Sequence, residues 1–99
     1  MEITITDSTP AVITISGRLD TVNATDFEKT MAPVIASDIK ELILDCSALH
    51  YISSSGLRQF LTLQKATNAK QGTLTLKGMK PEIKEIFDMT GFSALFRFE

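Results

Sequence analysis

Three consecutive serines, Ser53, Ser54 and Ser55, are the residues of this chain whose types and spacing suggest chemistry most clearly. They follow a short apolar run and precede a helical pattern, so they stand at a predicted helix N-terminus. A serine there accepts hydrogen bonds from backbone amides that have no partner inside the helix. One hydroxyl is enough for a cap, and Gly56 permits close approach of another group. The surplus hydroxyls therefore predict a presented surface in addition to a cap.

The same residues also permit a hydrolase hypothesis. In it Ser54 is the nucleophile and His50, the only histidine, is the base. Asp45 or Asp20 would complete the triad. The residue two positions before Ser54 is Ile52, whereas a nucleophile elbow has glycine there, so the pattern disfavours catalysis. We expect a protein that is not an enzyme.

The single cysteine bears on two questions, whether the chain holds a metal site and in which cellular compartment it works. One cysteine and one histidine cannot supply the four ligands of a structural zinc site, so no metal or cofactor is expected. Cys46 ends an apolar run and is predicted to be an inert core residue. A single cysteine excludes an internal disulfide, and residues 1–6 do not resemble a signal peptide. We therefore expect a cytoplasmic protein.

The composition of the chain narrows its possible partners. The chain has 99 residues, which fits a single domain over residues 1–99. Ten Lys and Arg stand against twelve Asp and Glu without a basic run, which disfavours direct nucleic-acid binding. No apolar run approaches the about 20 residues that cross a bilayer, so no direct membrane contact is expected.

The strands that position the serines are predicted from hydrophobic patterning. They are predicted at residues 2–6, 11–17, 41–46, 73–77 and 95–98. The first two alternate apolar and polar residues, and the turn formers Asp7-Ser8-Thr9-Pro10 between them predict an antiparallel hairpin. The continuous apolar run at 41–46 is typical of a central strand buried on both faces.

Three helices are predicted from apolar residues at a 3.6-residue period. They lie around residues 27–35, at residues 54–69, and from Pro81 to the residue before Gly91. Thr21 and Asn23 are candidate caps of the first helix, and Pro33 predicts a kink or an early end in it. The order is then β-β-α-β-α-β-α-β, an α/β fold whose mixed sheet combines an antiparallel hairpin with parallel strands and is flanked by helices.

Two motifs, at residues 44–57 and at residues 17–20, together resemble the signature of STAS domains, the family of bacterial anti-sigma factor antagonists, also called anti-anti-sigma factors. Residues 44–57, Leu-Asp-Cys-Ser-Ala-Leu-His-Tyr-Ile-Ser-Ser-Ser-Gly-Leu, resemble a strand that ends in Asp-x-Ser, a short loop, and Asp-Ser-Ser/Thr-Gly-Leu. Residues 17–20, Gly-Arg-Leu-Asp, resemble the family marker Gly-x-Leu-Asp before the first helix. The resemblance covers essentially the whole chain and implies the STAS fold.

The resemblance implies a regulatory binding module controlled by phosphorylation. An unmodified domain of this kind binds an anti-sigma factor that is a serine kinase with an ATPase fold, and so frees the sigma factor. Phosphorylation by that kinase ends the binding, and a phosphatase resets the switch. The phosphorylated serine corresponds to Ser54 here, with Ser53 and Ser55 as alternatives. The implied partner-binding residues are Asp20, Thr21, Tyr51, Ser53, Ser54, Ser55, Gly56 and Arg58.

The chain departs from the family pattern at two positions near these serines. Ser53 stands where the usual motif has Asp. This keeps open a second hypothesis, a constitutive adaptor subunit of a transporter or signalling complex that uses the same surface without phosphorylation. Arg58 stands where many members have Gly, and its charge could bind a partner carboxylate or neutralise a phosphate on Ser54. The last strand is expected to be an edge where a partner or second copy could pair, although we expect a monomer.

Overall fold

The computed structural model describes residues 1–6 and 8–99, so Asp7 of the predicted hairpin turn lies outside the described residues. The helices and strands follow the predicted order, with one short 3-10 helix before the last strand. Their bounds are β1 Glu2–Ile5, β2 Ala11–Leu19, α1 Ala24–Ala36, β3 Glu41–Ile52, α2 Ser54–Ala69, β4 Thr73–Lys77, α3 Pro81–Thr90, the 3-10 helix Phe92–Leu95, and β5 Arg97–Phe98.

The five strands form one sheet in the order β1-β2-β3-β4-β5. β1 pairs with β2 in antiparallel orientation, and the other three neighbouring pairs are parallel. The predicted mixed sheet with a central β3 is therefore confirmed. Each parallel crossover advances to the adjacent strand in the same direction, and right-handed crossovers of that kind place all the helices on one face of the sheet.

The core lies between that face and the helices. The strand registers align Ile13 of β2 with Leu44 of β3, and Leu44 with Leu76 of β4, and all three side chains are fully buried. One buried phenylalanine from each helix packs over this row: Phe27 from α1, Phe60 from α2 and Phe87 from α3. Their ring centroids are 5.7 and 6.0 Å apart in sequence order. This shared aromatic row fixes the three helices relative to the sheet.

Strand β3 differs from its prediction in length and in burial. It continues past residue 46 to Ile52 because β2 also extends to Leu19 and pairs with it, through two register shifts. The prediction of burial on both faces is wrong: Leu42 and Leu44 are buried, whereas Ile43 and Asp45 are half-buried. With every helix on one face, no described element covers the other. The long β3 delivers the chain directly into α2 without the expected loop.

Helix α1 does not end early at Pro33, as one of the two predicted outcomes had it, but continues to Ala36. A proline inside a helix removes one backbone hydrogen bond, to the carbonyl four residues earlier. That residue, Lys29, is exposed, so water can satisfy its carbonyl. Val34, directly after the proline, is buried in the core. Its packing holds the last turn in place.

The other two helices begin and end as predicted. α2 spans Ser54–Ala69, and α3 begins at Pro81 and ends before Gly91, whose φ of 78° is left-handed. Leu57 and Phe60, two of the apolar residues at helical spacing in α2, are buried. None of the helices formed by residues 1–6 and 8–99 has the length and apolarity needed to cross a membrane.

Candidate functional site

The N-terminus of α2 is fixed against the end of β2. The amide of Ser53 donates to the carbonyl oxygen of Leu19 at 2.9 Å, which continues the pairing of Leu19 with Ile52. Gly56 is buried in this contact. A Cβ added at Gly56 would lie 2.8 Å from both Ile52 Cγ1 and Leu19 Cγ, closer than carbon atoms pack. Gly56, predicted from the sequence as a partner-binding residue, has a packing role in the fold.

One of the three serines caps α2, and the other two do not. Ser53 is the N-cap residue of α2, with extended backbone, and its Oγ accepts a hydrogen bond from the amide of Gly56 at 3.1 Å. The prediction that one serine caps the helix is thus confirmed. Neither Ser54 Oγ nor Ser55 Oγ forms a hydrogen bond with any other described residue. Ser54 is exposed and Ser55 is half-buried. The hydroxyl of Ser54 is therefore open to solvent.

The loop between β2 and α1 lies beside these serines and is held by a reciprocal pair, Asp20 and Asn23. Asn23 Oδ1 accepts from the amide of Asp20 at 2.8 Å, and Asp20 Oδ1 accepts from the amides of Val22 and Asn23, both at 3.0 Å. Each side chain satisfies the other's backbone, as in a capping box. Asn23, one of the two predicted caps, is the N-cap residue of α1, but its side chain makes no cap hydrogen bond into the helix. Asp20 Oδ1 instead holds the turn that precedes α1. Asp20 is thus positioned by its own loop.

An arginine and a tyrosine stack beside the same loop. The registers of β2 and β3 pair Arg18 with Tyr51, and the Arg18 guanidinium carbon lies 4.2 Å from the centre of the Tyr51 ring. Tyr51 is 38% exposed and Arg18 is exposed. A cation over a tyrosine ring is attracted to it. Arg18 lies within the Gly17–Asp20 motif but was not singled out, because its stacking depends on a strand pairing distant in sequence.

Val22 is a second surface residue that the sequence reasoning did not single out. Its side chain is 88% exposed, at the tip of the loop that Asp20 organises. Thr21 beside it is also exposed. The sequence feature that could have identified Val22 is its apolar side chain among the polar residues of a loop. Exposed apolar side chains at interfaces supply binding energy when a partner covers them.

The first five residues of α2 carry one positively charged side chain and no negatively charged one. The first turn of α2 contains no acidic residue. Ser54 is the first residue of the helix and Arg58 the fifth, so their side chains lie on one face, one turn apart. Arg58 is exposed and forms no ion pair within the part of the chain that the structure describes. A positively charged residue therefore lies one turn from Ser54 on the same helix.

The residues of the hydrolase hypothesis, Ser54, His50 and Asp45 or Asp20, are not joined to one another by hydrogen bonds in the part of the chain that the structure describes. Among the described residues no hydrogen bond joins Ser54 to His50, which is exposed on β3. Asp45 precedes the end of β3 by about 20 Å of strand. Asp45 Oδ1 instead accepts from the amide of Ser47 at 3.0 Å. Hydrogen bonds from Ser47, with the nearby Lys77 charge, hold the pKa of the Asp45 carboxyl below its usual value. Asp45 therefore serves β3 and not Ser54.

Cys46 is fully buried on the helix-covered face. Burial, with a smaller contribution from the charge of Asp45, raises the pKa of its thiol to about 12. The thiol is therefore protonated at neutral pH and lacks the nucleophilic thiolate form. It has no role in the site.

Comparison with known proteins connects this geometry to a family. The model of the STAS domain family matches residues 1–99. The Bordetella bronchiseptica protein BtrV, whose name describes it as a candidate anti-sigma factor antagonist, is 34% identical over 82 residues, covering 83% of this chain and 71% of BtrV. A solved anti-sigma factor antagonist from Mycobacterium paratuberculosis has a TM-score of 0.87 and 22% identity, covering 98% of this chain and 83% of that one. The phosphorylated form of the Bacillus cell fate determinant SpoIIAA has a TM-score of 0.76 and 19% identity, covering 99% of this chain and 91% of that one.

Proposed function

Because the chain belongs to the STAS domain family, we propose that it is an anti-sigma factor antagonist that binds an anti-sigma factor and thereby frees a sigma factor. Its relative BtrV carries such a name, and the solved proteins that share its fold include other antagonists. The partner is a serine kinase with an ATPase fold. The chain acts as the substrate of that kinase and not as an enzyme, and it works in the cytoplasm.

The hydroxyl of Ser54 is the control point of this binding. One observation carries the proposal: Ser53, and not Ser54, caps α2. The exposed Ser54 Oγ therefore has no capping role in the helix. A kinase can reach it without unfolding the chain. A protein of this fold, SpoIIAA, has been solved in a phosphorylated form, which supports a phosphorylated state of this one. A phosphatase returns the chain to the binding state.

Phosphorylation at Ser54 would change the interface more than the fold. A phosphate adds about −1.5 to −2 charges, and the amides and dipole at a helix N-terminus favour negative charge. The amides of Ser54 and Ser55 donate to no described residue and can bind it. At an interface, a buried charge that the partner surface does not match costs about 2–5 kcal/mol, which weakens affinity roughly 30-fold to several thousand-fold. That range is sufficient for a switch.

The partner surface surrounds Ser54 on three elements. The α2 terminus contributes the serines and Arg58, the end of β3 contributes Tyr51, and the loop before α1 contributes Asp20 and Thr21. Arg18 and Val22 extend this surface, because they are exposed beside the same residues. The serines, the arginines and the apolar Val22 together suit a protein partner.

A capture experiment with four baits tests this function. Wild type, Ser54→Ala, Ser54→Asp and the control Asn68→Asp are immobilised and exposed to a lysate of the native host, and captured proteins are identified by mass spectrometry. Asn68→Asp adds the same charge as Ser54→Asp, but near the exposed C-terminal end of α2. We expect an ATPase-fold serine kinase on every bait except Ser54→Asp. Purified with ATP, that kinase should phosphorylate wild type and leave Ser54→Ala unmodified.

Three outcomes would contradict this assignment. Equal capture of a transporter subunit or scaffold by wild type and Ser54→Asp would favour the constitutive adaptor, which the serine at position 53 keeps open. Normal phosphate incorporation into Ser54→Ala would move the modification to Ser53 or Ser55. Ester hydrolysis that depends on Ser54 would replace the binding function with a catalytic one.

A further inference from the structure

Arg58 is the charged residue whose position relative to Ser54 the proposed function leaves unexplained. The two residues are the fifth and first of α2, and residues four apart on a helix have Cβ atoms about 5–6 Å from each other. Both are exposed. The order, with the future anion N-terminal to the cation, is the one that stabilises helical ion pairs better. An arginine in this place can reach a phosphate on Ser54 from within its own helix.

The groups around Arg58 leave its guanidinium available. On α2 the first turn holds no acid, and on α1 Glu28, which is hydrogen-bonded to α2, accepts from Gln59 Nε2 at 3.1 Å. The Asp20 carboxylate is engaged through Oδ1 by its own loop. On β3, His50 and Tyr51 are the titratable groups at this end. None of these is joined to Arg58 by a hydrogen bond or ion pair among the described residues.

Arg18, the second arginine at the site, already contacts another side chain. Arg18 stacks over Tyr51 at 4.2 Å, and its place on β2 is set by the sheet register. Moving it to Ser54 would break that stacking. Arg58 forms no cation–π contact or ion pair among the described residues, so its pairing with a phosphate would break no contact of that kind.

The uncharged side chain of Ser53 also favours the pairing of Arg58 with a phosphate on Ser54. A carboxylate at Ser53 would repel a phosphate on the next residue and compete for Arg58, whereas the Ser53 hydroxyl caps the helix without charge. A neutral cap and a cation one turn later therefore form a pair suited to a dianion. A guanidinium binds two phosphate oxygens in a bidentate arrangement, which a lysine ammonium cannot do.

We propose that Arg58 is a phosphate clamp, which binds the phosphate on Ser54 through its guanidinium and is thereby withdrawn from the partner surface. This inference rests on the proposed phosphorylation of Ser54. One modification then changes two features of the interface, the hydroxyl and the nearest cation. Arg58 is thus a residue that sets how completely phosphorylation switches the surface.

The clamp is tested on protein in which phosphoserine is incorporated at position 54 during synthesis, so that no kinase is needed. The second pKa of the phosphate is measured by ³¹P NMR in otherwise wild-type protein, Arg58→Gln, Arg18→Gln and the control Arg97→Gln. Arg97 is an exposed arginine of β5, the edge strand farthest from β2. Its replacement changes the net charge by the same amount as the replacement of Arg58 or Arg18, but away from the site. An exposed ion pair should lower the phosphate pKa from its usual value near 6, and Arg58→Gln should raise it by about 0.2–0.7.

We expect Arg97→Gln to leave the phosphate pKa unchanged and Arg18→Gln to change it less than Arg58→Gln does. Equal values in Arg58→Gln and Arg97→Gln would overturn the clamp, as would a larger effect of Arg18→Gln. Because the phosphoserine is built in, failure of a kinase to modify Ser54 would leave this result standing. Conversely, loss of the clamp would leave the capture and phosphorylation results intact, so the two proposals can fail separately.

Discussion

The hydroxyl of Ser53 accepts a hydrogen bond from the amide of Gly56 at 3.1 Å, one turn into the helix that begins at Ser54. This bond gives a structural task to the serine that replaces the family aspartate. The next serine has no such task among the described residues. Substitutions of Ser53 and Ser54 therefore control for each other, because the same hydroxyl group is removed once from the cap and once from a position that does not cap the helix.

Replacing Ser53 with alanine should destabilise the protein by about 1 kcal/mol, because the helix loses its N-cap. Ser54→Ala should change the free energy of unfolding by less than about 0.5 kcal/mol. Ser53→Asp should keep the stability, since Asp caps as well as Ser and its charge suits the helix N-terminus. Urea denaturation of the three variants measures this. A larger loss in Ser54→Ala than in Ser53→Ala would reassign the cap.

Gly56→Ala should destabilise the protein by about 1–3 kcal/mol, the cost of overpacking a well-filled contact. The added methyl group would meet Leu19 and Ile52 at 2.8 Å. Leu19→Ala should itself be destabilising, but the double variant should lose less stability than the sum of the two, because the cavity accepts the methyl group. Strict additivity in thermal or urea unfolding would show that Gly56 does not pack on Leu19.

Asp45→Asn should destabilise the protein at neutral pH and much less in acid. The pKa of Asp45 is lowered in the folded protein, mainly by hydrogen bonds from Ser47. A lowered carboxyl pKa stabilises the fold above the unfolded-state pKa, and this contribution is lost as pH falls through the folded-state pKa. The difference in unfolding free energy between wild type and Asp45→Asn should therefore shrink below about pH 4. A pH-independent difference would contradict the role of the charge.

Cys46 should resist alkylation in the folded protein. Its thiol is fully buried, and its pKa is raised to about 12. Iodoacetamide at about pH 8 should label it only after unfolding in urea, since the thiolate is the reactive species. Mass spectrometry of labelled and unlabelled chains measures the fraction modified. Native-state labelling as fast as that of an unfolded control would place Cys46 outside the core.

Local patterns predicted most of the fold correctly. Helix α2 and strand β4 have the predicted bounds, since turn and cap residues mark their ends. Pro81 and Gly91 delimit α3 for the same reason. The resemblance to the STAS family, read from two motifs, is confirmed by the match of the family model to residues 1–99. These features depend on residues close together in sequence.

The features that were missed depend on contacts between distant segments. The length of β3 follows from pairing with the extended β2, and residues 47–52 alone resemble a loop. Three equivalent serines gave no indication which one caps; the bond from the Ser53 amide to Leu19 selects it by fixing the backbone there. The stacking of Arg18 on Tyr51 arises from the same pairing of β2 with β3. Strand pairing thus determines the details of the site.

The affinity of the captured kinase for wild type and for Ser54-phosphorylated protein, measured by isothermal titration calorimetry, tests the central claim most directly. The account predicts tight binding of the unmodified chain and binding weaker by roughly 30-fold to several thousand-fold after phosphorylation. Circular dichroism should show both forms equally folded. Equal affinity of the two folded forms would contradict a switch at Ser54.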